Sequence, residues 1–265
     1  MINTENLLLA AKEAALDAGE IHLTYFGKNK EISHKFNEFD LVTNVDKMSE
    51  ERIISVIHGH FPDHKILGEE SGIHEGISSE YTWVIDPLDG TTNYAHNFPH
   101  FAVSIGLLYK GEIVLGVVYD PFKNETFWAA KDSGAYLNSD PIKVSEANSL
   151  KKSLLSTGFP YERAEILEEN LKYFRKFVYE AQAVRRPGAA SLDLCYVACG
   201  RLDGFWELNL APWDTAAGTC IVREAGGKVT NFSSSEFDIY TKNIIASNSL
   251  IHEHMTKVIE SIRNI

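Results

Sequence analysis

Four short apolar runs between residues 81 and 130 constrain this chain's fold more than anything else in it: YTWVID, FAVSIGLLY, EIVLGVVYD and ETFWAA. Each is rich in β-branched and aromatic residues and is bounded by Pro, Gly or Asn, the signature of strands joined by tight turns. Such a series reads as an antiparallel meander, which excludes an all-helical bundle. Helical spacing flanks it. Leu7, Leu8, Ala11, Ala14, Ala15, Ala18, Ile21, His22 and Tyr25 recur at helical intervals and stop near Gly27. Thr43, three residues before Asp46, has the form of a helix cap, and the helix it opens is predicted to reach about Gly59. HKIL then forms a short apolar run that ends in Glu69-Glu70.

After residue 150 the pattern changes. SLLST reads as a strand, 163–180 and LDLCYVACG as helices, GFWEL as a strand, 214–225 as a helix, IIASN as a strand and the C-terminus as an amphipathic helix. This alternation is what α/β units produce. The expectation is an N-terminal α+β subdomain over 1–150 with the antiparallel sheet, and a C-terminal α/β subdomain over 151–265, forming one catalytic unit.

Composition removes several functions. With 37 acidic against 25 basic residues the net charge is −12, which disfavours a polyanion partner, so no direct nucleic-acid contact is expected. No apolar run is long enough to span a bilayer, and the first helix carries Glu5, Glu13, Asp17 and Glu20 where a secretory signal would carry bases. Three cysteines, Cys195, Cys199 and Cys220, suit a reducing cytoplasm and are expected as buried free thiols.

The chemistry should lie in carboxylates. Asp86-Pro87-Leu88-Asp89-Gly90-Thr91-Thr92 follows a buried-looking strand, so two acids three residues apart face one space, and the backbone N–H groups that follow could bind phosphate oxygens. Taken alone, the same residues also suit an ordinary strand-ending turn. Glu69-Glu70 alone suits a solvated loop, and Asp214, after Pro212-Trp213, suits a helix N-cap. If Glu69, Asp86, Asp89 and Asp214 converge, they must either take up protons or bind hard cations. All-oxygen ligation selects Mg²⁺, Mn²⁺ or Ca²⁺ over zinc, and phosphate chemistry, which needs open water positions, favours Mg²⁺.

Five segments standing in one order, DLVTNVD at 40–46, LGEES at 67–71, WVIDPLDGTTNYAHNFPHFAVSIG at 83–106, RRPGAASLDLCYVACGRLDGFWE at 185–207 and PWDTAAGTCIVREAGG at 212–227, resemble the inositol monophosphatase family of the lithium-sensitive, magnesium-dependent sugar phosphatases. The resemblance covers almost the whole chain. It implies a layered αβαβα sandwich of the α+β class with the metal site between two subdomains, and a homodimer. It implies two Mg²⁺ ions, one on Glu69, Asp86 and the Leu88 carbonyl and one on Asp86, Asp89 and Asp214. A third, weaker ion would lean on Glu69; Mn²⁺ would substitute, and Li⁺ and Ca²⁺ would inhibit.

The same resemblance implies that Thr91, oriented by Asp46 with Glu70 in the network, activates a water, so that no covalent intermediate forms. Gly90, Thr91 and Thr92 would cradle the phosphate, and Asp89, Ala190, Glu207 and Asp214 would meet sugar-like hydroxyls. Lys35 would sit on a flap over residues 28–39. Thr92, followed by Asn93, stands where relatives acting on adenosine 3′,5′-bisphosphate or histidinol phosphate tend to carry a lysine, which favours the inositol branch. Around LNLAP, residues 208–212, the chain departs from animal members. Arg185-Arg186 suits a solvated or interface pair better than a substrate contact. The expected activity is hydrolysis of inositol monophosphate. The alternatives are the 2′-phosphate of NADP or fructose 1,6-bisphosphate at the same site, or a regulatory role with the transcription machinery.

Overall fold

The computed structural model describes residues 4–28, 32–34, 41–76, 78–160 and 165–263. Along the chain run α1 (Thr4–Tyr25), β1 (Ile32–His34), β2 (Leu41–Thr43), α2 (Asn44–His60), β3 (His64–Gly68), β4 (Gly72–His74), β5 (Ser78–Asp89), α3 (Thr91–Ala95) and the meander β6 (Ala102–Tyr109), β7 (Glu112–Asp120), β8 (Glu125–Ala130), β9 (Ala135–Leu137) and β10 (Asp140–Ile142). The second half adds β11 (Leu154–Thr157), α4 (Glu165–Glu180), β12 (Ala183–Arg185), α5 (Ala190–Ala198), β13 (Gly204–Leu208), α6 (Pro212–Glu224), β14 (Lys228–Thr230), β15 (Asn243–Ser247) and α7 (His252–Arg263). Among the described residues no helix is long and apolar enough to cross a membrane.

Strands β10-β9-β8-β7-β6-β5-β3-β4 form a first sheet and β12-β11-β13-β15-β14 a second, while β1 and β2 make a separate antiparallel pair. The first sheet is buried on both faces, which explains why its strands read as continuous apolar runs rather than as an alternation. Trp83 and Ile85 of β5 pack under α1 and α2 with Ala11, Ala14, Ile53 and Ile57. Val84, between them, points the other way, toward Leu192 and Leu194 of α5 and Ala216 and Ile221 of α6. The second sheet repeats the device. Phe205 joins that middle layer, while Trp206 faces α4 and α7, stacked on Phe177 with ring centroids 4.1 Å apart. The layers are therefore αβαβα.

The middle helices sit close on the first sheet. A Cβ at Gly116 of β7 would lie 2.3 Å from the Ala217 carbonyl oxygen, and one at Gly106 of β6 would lie 2.7 Å from Ala216 Cβ. Glycine at these two positions lets α6 approach the strands almost backbone to backbone, which fixes its N-terminal turn over the end of the sheet.

Strands and helices alternate after residue 150, and the sheet they build is mixed: β11 is parallel to β12 and β13, while β15 is antiparallel to β13 and β14. Two expectations need correction. Helix α6 begins at Pro212, so Asp214 lies inside its first turn rather than at the N-cap. Of the three free cysteines, Cys195 and Cys220 are buried, but Cys199 is only half-buried.

Candidate active site

The site is built on a break in β5. Asp86 pairs with Ser104 and Asp89 with Ala102, so β5 carries one extra residue against β6. A bulge of this kind bends the strand and re-aims its side chains, and Pro87, which has no N–H for the ladder, fits only at such a break. Leu88 N–H donates to Asp86 Oδ1 at 2.9 Å inside the bulge. From below, His22 Nε2 of α1 lies 2.9 Å from the Pro87 carbonyl. Burial drives the His22 pKa down to about 3, so the ring is neutral and donates its Nε2–H to that oxygen.

That contact has a pH signature. The folded pKa lies below the ordinary 6.5, so the stability present above about pH 6.5 is lost as pH falls toward 3, because only the unfolded chain takes up the proton. We expect thermal unfolding from pH 7 to pH 4 to show a loss of up to about 3 kcal/mol from this residue, and His22→Gln to have the shallower pH dependence. A variant with the wild-type slope would remove His22 as the cause.

After the bulge the chain turns at Gly90, whose φ is 90° and whose Cβ, if present, would lie 2.9 Å from the His100 carbonyl oxygen. Helix α3 then starts at Thr91. Asn93 Nδ2 reaches three carbonyl oxygens, those of His100, Pro187 and Gly188, at 2.9, 3.0 and 3.2 Å. It ties the turn to the segment that leads into α5.

Asp46 serves two purposes. Its Oδ2 accepts from Thr43 N and Thr43 Oγ1 at 2.8 and 2.6 Å, which completes the cap of α2. Its Oδ1 lies 2.9 Å from Thr91 Oγ1, which is also 2.9 Å from the Leu88 carbonyl oxygen. Burial, aided by the Glu69 charge and opposed by the Thr43 and Thr91 hydrogen bonds, lifts the Asp46 carboxyl to about 6. Four residues on, Glu50 lies buried on α2 and accepts from Glu70 N–H and Ser71 N–H at 2.9 and 2.8 Å. The Glu69-Glu70 turn is thus held by a carboxylate that the sequence reading passed over. The signal was there: two acids spaced i, i+4 on the buried face of a helix.

Asp89 reaches across to α5. Its Oδ2 accepts from Ser191 N and Ser191 Oγ at 2.8 and 2.5 Å. Burial raises its pKa, against the lowering effect of donors from Ser191, Ala190 and Leu192. A carboxylate from the first sheet therefore caps a helix whose own N-cap residue, Ala189, makes no side-chain cap hydrogen bond. Asp214 Oδ2 accepts from Ala211 N at 2.6 Å. The Asp86 carboxyl is raised well above its ordinary range, first by burial and then by the charges of Glu69, Asp89 and Asp214. These four acids, from β5, α6 and the turn after β3, therefore converge on one space.

Glu207 on β13 borders the same space: it is buried and raised well above the usual carboxylate range by burial and by the charges of Asp214 and Asp89. Among the described residues no three of His, Cys, Asp and Glu stand close enough to hold an ion as they are placed. Asp86, Asp89 and Asp214 each have one oxygen committed to a backbone donor, a use of one carboxylate oxygen that is compatible with ligation through the other. As a donor set, all oxygen and mutually repelling, they fit a hard divalent cation. Lys35 lies outside the described residues. Arg185 is exposed and bonds its neighbour's Val184 carbonyl, whereas the Arg186 guanidinium lies near Phe159 and its charge acts on Glu207.

The model of the inositol monophosphatase family matches residues 3–264. The chain belongs to that family. It is 47% identical to an inositol-1-monophosphatase of Synechocystis over 94% of this chain and 87% of that one. It is 45% identical to a fructose-1,6-bisphosphatase/inositol-1-monophosphatase of Aquifex aeolicus over 97% of each. The solved inositol monophosphatase of Anabaena superimposes with a TM-score of 0.89 at 46% identity, covering 98% of this chain and 97% of that one. The protein is accordingly a phosphatase of a Mg²⁺-dependent family. Within its fold, His22, Glu50, Asn93 and Ser191 support the residues that the inositol monophosphatase motifs single out.

Proposed function

We propose that this phosphatase hydrolyses a polyol phosphate monoester, with inositol monophosphate as its preferred substrate. The observation that carries the reading is the convergence of Glu69, Asp89 and Asp214 on Asp86 beside the Thr91–Asp46 pair. Glu69, Asp86, Asp89, Asp214 and the Leu88 carbonyl would hold Mg²⁺, which when bound neutralises phosphate charge and lowers the pKa of water. Thr91 gives its hydroxyl proton to Asp46 Oδ1, so its lone pairs are free to orient the attacking water. Glu70 belongs to the same network through the turn that Glu50 holds. Backbone N–H groups of Gly90 and Thr91, with Thr92, receive the phosphate. On the alcohol side, Ala190, Glu207, Asp89 and Asp214 receive the ring hydroxyls.

In this reading the division near residue 150 separates the half that supplies most metal ligands from the half that supplies the hydroxyl contacts. The working form is a cytoplasmic homodimer, Mn²⁺ substitutes for Mg²⁺, and Li⁺ and Ca²⁺ inhibit. Phosphate release from inositol monophosphates, fructose 1,6-bisphosphate and NADP, with Mg²⁺ and with or without Li⁺, tests it. The expected outcome is a kcat/KM on inositol monophosphate at least about 10-fold above the others and loss of turnover in Li⁺. A higher value on NADP or the bisphosphate would move the substrate assignment.

A further inference from the structure

The turn that carries Glu69 is braced by an acid that itself stays out of the site. Glu50 of α2 is 2% exposed, and its two oxygens serve consecutive residues: Oε2 accepts from Glu70 N–H at 2.9 Å and Oε1 from Ser71 N–H at 2.8 Å. Successive backbone N–H groups that converge on one anion form a nest, and here the anion is one of the chain's own side chains. Hydrogen bonds to an ionised acceptor are about twice as strong as neutral ones.

The fit leaves no slack. A Cβ at Gly68 would lie 2.5 Å from Glu50 Oε2 and 2.7 Å from its Cδ, so only glycine lets β3 pass the carboxylate. Gly68 pairs with Ile85 of β5, and Glu69 N–H donates to the Ile85 carbonyl at 3.2 Å, which seats the Glu69 backbone beside Asp86. Gly72, with φ 74°, closes the turn and pairs back with Gly68. Three N–H groups in a row are thereby fixed, that of Glu69 by β5 and those of Glu70 and Ser71 by Glu50. Because β4 is the last strand of its sheet, the outer brace for this turn comes from α2. A ligand held in place beforehand loses less conformational freedom when an ion arrives, which strengthens binding.

We propose that Glu50 is a positioning residue for Mg²⁺: by bracing residues 68–72 it holds Glu69 beside Asp86 and so sets the affinity for an ion that those two carboxylates share. The proposal rests on the reading that Glu69 is a Mg²⁺ ligand.

The test titrates Mg²⁺ into substrate-free protein by calorimetry and, separately, measures phosphate release from inositol 1-phosphate as a function of Mg²⁺. Glu50→Gln keeps the size of the side chain but turns an amide N–H₂ toward one of the two backbone donors, breaking that contact. It should weaken Mg²⁺ binding about 10- to 100-fold, the usual cost of removing a group that holds a metal ligand in place. The Mg²⁺ concentration for half-maximal release should rise by the same factor, with kcat at saturating Mg²⁺ changed less than about threefold. Gly68→Ala, which displaces Oε2 while leaving the acid present, should weaken Mg²⁺ binding in the same direction, and it serves if Glu50→Gln does not fold. Unchanged Mg²⁺ affinity in these variants, even with a lower unfolding temperature, would overturn the proposal, as would a loss of kcat that saturating Mg²⁺ does not recover. Glu69→Gln separates the two ideas. If it leaves Mg²⁺ binding unchanged, the ligand reading itself fails; if it weakens binding while Glu50→Gln does not, only the positioning role fails.

Discussion

Asp86→Asn should lower Mg²⁺-dependent phosphate release by about 10³-fold or more, the equivalent of removing several kcal/mol of metal-derived stabilisation from the transition state. The same change should leave the fold intact and make the metal-free protein more stable. The charged Asp86 is buried among Glu69, Asp89 and Asp214. A carboxyl whose folded pKa is raised costs stability once pH exceeds its unfolded value, so an uncharged amide relieves that cost at neutral pH. Unfolding in EDTA should therefore occur at a higher temperature in the variant, and the Mg²⁺-induced rise in unfolding temperature should be largely lost. Substantial residual turnover would sink the assignment of Asp86 to the metal. A variant less stable than wild type in EDTA would instead contradict the electrostatic account.

Thr91→Ala is expected to lower kcat about 10²- to 10⁴-fold, the usual range for removing a positioned proton-transfer group, with KM and the Mg²⁺ titration nearly unchanged. Its hydroxyl touches Asp46 and the Leu88 carbonyl and is not itself counted among the metal ligands. Thr91→Ser keeps the hydroxyl and should retain most activity. Asp46→Asn should resemble Thr91→Ala in rate, because an amide is a weaker acceptor for the threonine proton. If Thr91→Ala raised KM and left kcat untouched, the threonine would be a binding group, and the water-orienting role would fall.

How far the sequence could be read follows from how local each signal is. The meander was legible because a strand buried on both faces writes its pattern into consecutive residues, as in FAVSIGLLY. The cap at Thr43 and Asp46 and the turn at Gly90 were legible for the same reason: the residues that make them lie within four positions. Asp214 was misread as an N-cap because Pro212, favoured in a helix's first turn, started the helix two residues earlier than expected. The parallel pairing of β3 with β5, and the antiparallel return of β15 onto β13, depend on contacts distant in the chain and left no local mark.

The site divides in the same way. Asp86, Asp89, Gly90 and Thr91 sit in one motif and announce themselves together. Glu50 and Ser191 do not, because each acts on a turn or a carboxylate 20 or 102 positions away. His22 is a further case. On the sequence it is one more member of an apolar helical face, and only its contact with the Pro87 carbonyl, 65 positions on, gives it a task. Arg186 was expected at the surface, yet its charge acts inward on Asp193 and Glu207, although its side chain remains solvent-accessible.

The close seat of α6 on the first sheet limits how this enzyme can move. Ala216 and Ala217 lie so near Gly106 and Gly116 that a rocking motion of one half against the other would drive backbone into backbone. Asp89 and Asn93 pin the same junction with hydrogen bonds. The seat leaves α6 no room to press closer to the sheet, so the approach of the two halves is already complete in this structure and any adjustment that draws the site tighter falls to side chains.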